Sequence, residues 1–167
     1  MAQREILLLG NENLYNVAEK ITEDNLDKAR QVINDLHDTI NAFKTKFGYG
    51  RAIAAPQIDE HYRIVYMKFG DRQTAFINPV MTKLGQETYK LWDDCMSFPG
   101  LEVYVQRHKK IKVAYKDIDF NDCVEEFEGD LSELFQHEYD HLDGVLAVQR
   151  ALNNKAFRMN PDKMGNV

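Results

Sequence analysis

The segment His137-Glu138-Tyr139-Asp140-His141 sets two imidazoles four residues apart, and only one regular structure brings them together. On an α-helix they stand one above the other with Glu138 beside them; in a strand they would be roughly 13 Å apart. The flanks agree with a helix. Leu131, Leu134, Phe135, His141 and Leu142 follow the helical period, Asp130 and Glu133 make a capping-box-like start, and Gly144 supplies a C-terminal stop. His137 and His141 can therefore share a metal ion, with Glu138 within reach of a water on that ion.

The rest of the chain constrains what surrounds this helix. Leu26, Ala29, Val32, Ile33, Leu36, Ile40 and Phe43 recur at spacings of three and four, predicting an amphipathic helix that begins at Asp24 or a neighbour. It ends before Gly48-Tyr49-Gly50, where two glycines interrupt the period. Strands are expected at Arg63–Phe69, at Thr74–Asn78 before Pro79, near Glu87–Trp92, through Val103 and Val105, through Ile111, Val113 and Tyr115, and at Val124–Glu128. Helix, several strands, helix is an α+β order, not an alternating βαβ one.

A chain of 167 residues with 44% apolar residues can bury a core without disulfides, and it reads as one catalytic domain, 1–167, with a short polar tail from about 151. Its net charge of −6 lacks the basic footprint of a nucleic-acid binder. Ile6-Leu7-Leu8-Leu9 ends at Gly10, too short for a secretory core, and no stretch approaches the ~20 apolar residues that span a bilayer. The expected place is the cytoplasm, with no membrane partner, and there a cysteine is more often free, catalytic or metal-binding than paired.

Two imidazoles do not complete a catalytic metal site, which takes three protein ligands and an open position. The chain has no HExxHxxGxxH extension. Cys95, in Asp93-Asp94-Cys95-Met96-Ser97-Phe98-Pro99-Gly100, could deliver a thiolate; a single cysteine in a strand-rich chain is also commonly a small buried apolar residue.

Three blocks in order, Gly50-Arg51-Ala52-Ile53-Ala54-Ala55-Pro56-Gln57, Asp93-Asp94-Cys95-Met96-Ser97 and Gln136-His137-Glu138-Tyr139-Asp140-His141-Leu142, with Asn78-Pro79 and Arg107 between them, resemble the peptide deformylases nearly throughout the chain up to Gly144. The resemblance implies mostly antiparallel strands packed around a central HExxH helix. It also implies hydrolytic removal of the formyl group from N-formylmethionyl nascent peptides. Cys95, His137 and His141 would hold one divalent cation, Fe²⁺ as in the family or zinc, nickel or cobalt in its place; the donor set alone suits several of these. Glu138 would carry the proton, and the Gln57 amide and the Met96 backbone N–H would stabilise the oxyanion. Gly50, Arg51 and Ala52 would border the substrate.

Several residues depart from the family pattern. Ala52 replaces a glycine, Arg51 stands where an apolar residue commonly borders the methionine pocket, and Asp93-Asp94 replace Glu-Gly. Glu102 stands where a basic residue is expected, and Glu133 lies one turn before His137 on the pocket face. Two alternatives follow. A related metal amidase acting on a different N-acyl amine would work poorly on formyl-methionyl peptides and improve on Arg51→Ile or Glu133→Ile. A metal-binding deformylase-like protein with little activity would hold metal without turnover; the intact Glu138 and Gln57 argue against it. His37, His61 and His108 read as structural, Cys123 as a free thiol, Trp92 as packing, and Arg107-His108-Lys109-Lys110 as a solvated turn unless Arg107 bonds Asp140. With Pro161 in the tail, ribosome docking through a long C-terminal helix is not expected.

Overall fold

The computed structural model describes residues 2–165. Helix α1, Leu26–Phe47, buries Ala29, Val32, Ile33, Leu36, Ile40 and Phe43 on one face and ends on Gly48 at φ 81°, whose N–H bonds the Lys44 carbonyl. The start is Asn25, without a side-chain cap. Strands β1 (Ala52–Ala54), β2 (Ile64–Phe69), β3 (Arg72–Lys83), β6 (Lys110–Lys116) and β7 (Asp122–Glu128) form one sheet in the order β1-β2-β3-β6-β7, and β4 (Thr88–Asp94), β5 (Leu101–His108) and β8 (Phe157–Met159) form a second. All pairings within the two sheets are antiparallel. Helix α2 is Asp130–Leu142.

Side chains on β1 and β2 alternate between two apolar clusters. Ile53, Ile64 and Tyr66 face α1, whereas Ala52, Ala54, Val65 and Met67 join Phe76, Phe127, Phe135 and Leu142 beneath α2. The larger sheet is thus covered by a helix on each face at this end, which explains why β2 reads as a continuous apolar run. Helix α2 also touches β5 of the smaller sheet, so it is the element both sheets share.

Four local expectations change. The strand placed at Thr74–Asn78 continues through Pro79 to Lys83. A register shift between Ile77 and Val80 and Asn78 at φ 49° absorb the proline that an unbroken ladder would exclude. No capping box forms at Asp130. Gly129 at φ 61° takes the cap position without a side-chain bond, leaving Asp130 free to pair with Arg51. Arg107 is not in a solvated turn: it closes β5 and is buried. The segment after Ala151 is more than a polar tail, because β8 pairs with β5.

Glu102 explains that last attachment. It sits opposite Arg158 in the ladder, accepts from Arg158 Nε at 2.6 Å and Asn160 Nδ2 at 2.9 Å, and lies 3.1 Å from Lys163 Nζ. Burial disfavours its charge, but these three donors outweigh that and hold it down at about 2. A carboxylate lowered on folding contributes stability above its unfolded value, lost as pH falls through the folded one. Glu102→Gln is therefore expected to cost about 1–2 kcal/mol near neutral pH. In urea titrations of both proteins, the difference should shrink as pH falls below about 4.

Candidate active site

The end of β4, the turn after it, the β1 edge and α2 converge on a cavity of about 370 Å³ lined by Gly50, Arg51, Ala52, Cys95, Met96, Glu133, His137 and Glu138 among others. Cys95, His137 and His141 are all buried and bring one ligand atom each to within 4.8 Å of the others. The Cys95 Sγ lies 3.4 Å from His141 Nε2.

Each side chain is held by its neighbours. Asp93 Oδ1 accepts from His137 Nδ1 at 2.9 Å, which fixes the proton on Nδ1 and turns Nε2 toward the cluster. The other Asp93 oxygen accepts from Arg107 Nη2 at 2.8 Å, and Arg107 Nη1 donates to Asp140 at 2.7 Å. His137 and Arg107 hold Asp93 ionised, at about 2, against the burial that opposes it. Arg150 adds two bonds to Asp140, at 2.5 and 2.7 Å. Gln136 clamps the helix to the end of β5, accepting from the His108 N–H at 2.9 Å and donating to its carbonyl at 2.8 Å.

Gln57 is carried by a single 3-10 turn, Ala55–Ile58, directly after β1. Its Oε1 accepts from the Ala54 N–H at 2.9 Å, so its Nε2 points the other way, donating to Ser97 Oγ at 3.1 Å and lying 3.5 Å from Cys95 Sγ. The N-terminal segment braces both loops: Leu7 N–H bonds the Gln57 carbonyl and Leu9 N–H the Ser97 carbonyl, each at 2.8 Å. Gly50 sits at φ 121°, and a Cβ there would meet Phe43 and Met96 at 3.2 and 3.4 Å; glycine is required for the chain to enter the site at this angle.

Glu138 is buried, and its Oε2 has no hydrogen-bond partner among the described residues. Burial pushes it up to about 7, opposed by His137 and reinforced by Asp93 and Asp94. His141 Nδ1 is a second buried atom without a partner among the described residues. A thiolate, two imidazoles and a carboxylate with an oxygen to spare fit a divalent cation and a polar substrate better than they fit an empty core, where such groups would each cost free energy.

Gly50, Arg51 and Ala52 line the cavity, and so does Glu133, on the α2 face that carries His137. His37 bonds Tyr66, His61 lies beside Asp59, and Cys123 is half-buried near Asp117; none belongs to the cluster. Trp92 packs on Tyr104 and under Arg158. Lys163 was missed. It lines the cavity and bonds Asp94 at 2.9 Å, but its tail position carried no periodic signal. Arg150, clamping Asp140 from beyond α2, was missed for the same reason.

Comparison with known proteins points the same way. The family model described as Polypeptide deformylase matches residues 3–157. The chain is similar to Peptide deformylase 1 of Prochlorococcus marinus, 33% identical over 94% of this chain and 85% of that protein. It is likewise similar to Peptide deformylase 2 of Clostridium perfringens, 33% identical over 90% and 94%. Among solved structures, it is similar to the peptide deformylase of Thermotoga maritima, with TM-score 0.83 and 31% identity over 92% of this chain and all of that one. The Synechococcus elongatus enzyme in complex with actinonin gives TM-score 0.83 and 27% identity over 92% and 81%.

Proposed function

Because the chain belongs to the polypeptide deformylase family, we propose that Cys95, His137 and His141 hold its one divalent cation and that Glu138 and Gln57 carry the chemistry beside it. The family membership makes it a metal-dependent hydrolase that removes the N-formyl group from nascent peptides. The observation that supports the residue assignment is the buried Cys95, His137, His141 cluster beside a buried carboxylate with a free oxygen.

When bound, the cation supplies Lewis acidity, polarising the formyl oxygen and making water more acidic. The protein's own groups do the rest. Glu138 accepts a proton from the attacking water and returns it to the amide nitrogen as the carbon–nitrogen bond breaks, so that water is divided between formate and the free amine. Gln57 Nε2 and the Met96 N–H donate to the oxygen on which negative charge develops. Asp93 keeps His137 in the tautomer that offers Nε2, and Arg107 keeps Asp93 ionised. Glycine at 50 and the walls at Arg51 and Ala52 receive the peptide.

Iron(II) is our choice of native cation, with zinc, nickel or cobalt able to substitute, since a thiolate and two imidazoles suit all four. We place the reaction in the cytoplasm, within one catalytic domain spanning 1–167. Metal analysis tests the ligand set. The wild type should retain one equivalent of cation through gel filtration, whereas Cys95→Ala should lose at least 90% of it with its fold intact by circular dichroism, roughly the tenfold or greater affinity loss expected for a missing ligand. Full retention by Cys95→Ala would remove Cys95 from the site.

A further inference from the structure

Two of the residues that depart from the family pattern, Asp94 and Glu102, face each other across the last rung of the β4–β5 hairpin. Residues directly opposite in an antiparallel pair put their side chains on one face, roughly 5 Å apart, where like charges repel. The turn that this rung closes begins with Cys95 and Met96, so a splayed rung would disturb the site. Lys163 stands between the two carboxylates. Its Nζ lies 2.9 Å from Asp94 Oδ2 and 3.1 Å from Glu102 Oε1. Glu102 has Arg158 and Asn160 besides, whereas Lys163 is the only ion-pair partner of Asp94 among the described residues. The segment that carries the lysine is fastened on both sides of the cavity. The Asn160 N–H bonds the Gly100 carbonyl at 2.7 Å, Met164 packs so closely on Gly100 that a Cβ there would collide with it, and Tyr49 Oη donates to the Lys163 carbonyl at 3.2 Å. These tail residues lie beyond 3–157, the stretch that the family model matches.

Resting on the deformylase reading, we infer that Lys163 is a positioning residue for the reaction: by bridging Asp94 and Glu102 it holds the β4–β5 turn in the geometry that presents the Cys95 thiolate and the Met96 N–H to the site. The lysine acts through Asp94. A glycine at 94 and a basic residue at 102 would need no such bridge, so the two departures and the tail lysine form one unit. Without the ammonium, the Asp94 side chain, 33% exposed, swings away from Glu102 toward water, and the backbone that runs on to Met96 moves with it. A displacement of about 1 Å in a group that meets developing charge can cost up to roughly 10²-fold in rate. Peptide binding is affected less, because Gly50, Arg51 and Ala52 wall the cavity from β1 and the loop before it.

The test is kcat and KM for formate release from formyl-methionyl-alanyl-serine, expressed per bound metal, by wild type, Lys163→Met, Lys163→Arg and the double variant Lys163→Met with Asp94→Asn. Amide hydrogen exchange of residues 94–97 is measured on the same proteins. Lys163→Met should lower kcat about tenfold with KM changed by less than about twofold, and its 94–97 amides should exchange faster. Lys163→Arg keeps the charge and should stay within about threefold of wild type. Asp94→Asn removes the repulsion that the lysine counters, so the double variant should recover to within about threefold of wild type, with its exchange slowed again. A lysine that served stability alone would lower Tm on substitution and leave kcat of the folded, metal-loaded protein unchanged. Should Lys163→Met fold poorly, Lys163→Gln takes its place. A kcat within about twofold of wild type, or a deficit that Asp94→Asn does not repair, overturns the inference and leaves the family reading standing. Absence of formate release by metal-loaded wild type overturns that reading, and the inference with it.

Discussion

Glu138→Ala, carrying a full equivalent of metal, is expected to release formate from a formyl-methionyl peptide about 10³-fold more slowly than wild type, with KM little changed. The size follows from its role: a positioned proton carrier contributes about 10²–10⁴-fold, and two other carboxylates that line the cavity are already engaged. Asp93 is locked between His137 and Arg107, and Asp94 is held by Lys163. Stability should not fall, because Glu138 is buried with an oxygen that has no partner, and removing such a group relieves a desolvation cost. Loss of activity with metal content and thermal stability both preserved separates a chemical role from a structural one. A rate within tenfold of wild type would assign the proton transfer elsewhere.

Arg107→Met should have the opposite character, a large loss of stability. The guanidinium is 3% exposed and bridges Asp93 and Asp140. Methionine fills its volume but leaves Asp93 buried with only His137 as partner, and Asp140 dependent on Arg150, which is half-exposed. Removing one member of a buried ionic network typically costs about 3–5 kcal/mol, because the remaining charges stay desolvated and unpaired. For a chain of this length that is roughly a 10 °C fall in Tm. Chemical denaturation measures it directly. Combining Arg107→Met with Asp93→Asn should cost less than the two single changes added together, since each removes part of the same interaction. A loss below 1 kcal/mol would show the network to be dispensable.

The parts of the molecule that the sequence made legible are those governed by local period. Helices α1 and α2 follow from their apolar spacing, and α2 brings His137 and His141 side by side because imidazoles four apart on a helix must adjoin. The strands that alternate or run apolar, β2, β5, β6 and β7, are equally visible. What escaped was decided by tertiary partners. Pro79 sits inside β3 because a bulge at Ile77–Val80 accommodates it. Arg107 looked solvated within a basic run, yet two acidic residues 14 positions before it and 33 after it draw it inward. The tail became a strand because Glu102 offers Arg158 and Asn160 a buried acceptor, which no pattern within 151–167 could announce. In the site itself, His137, His141 and Glu138 follow from spacing alone, whereas Cys95 and Gln57 needed the ordered blocks of the family.

The central claim is that this cluster removes formyl groups. Wild-type protein prepared without oxygen, with its iron content measured, should release formate from formyl-methionyl-alanyl-serine in amounts equal to the free amine that appears, at a rate proportional to bound metal. Full metal occupancy with neither formate nor free amine produced would contradict the account.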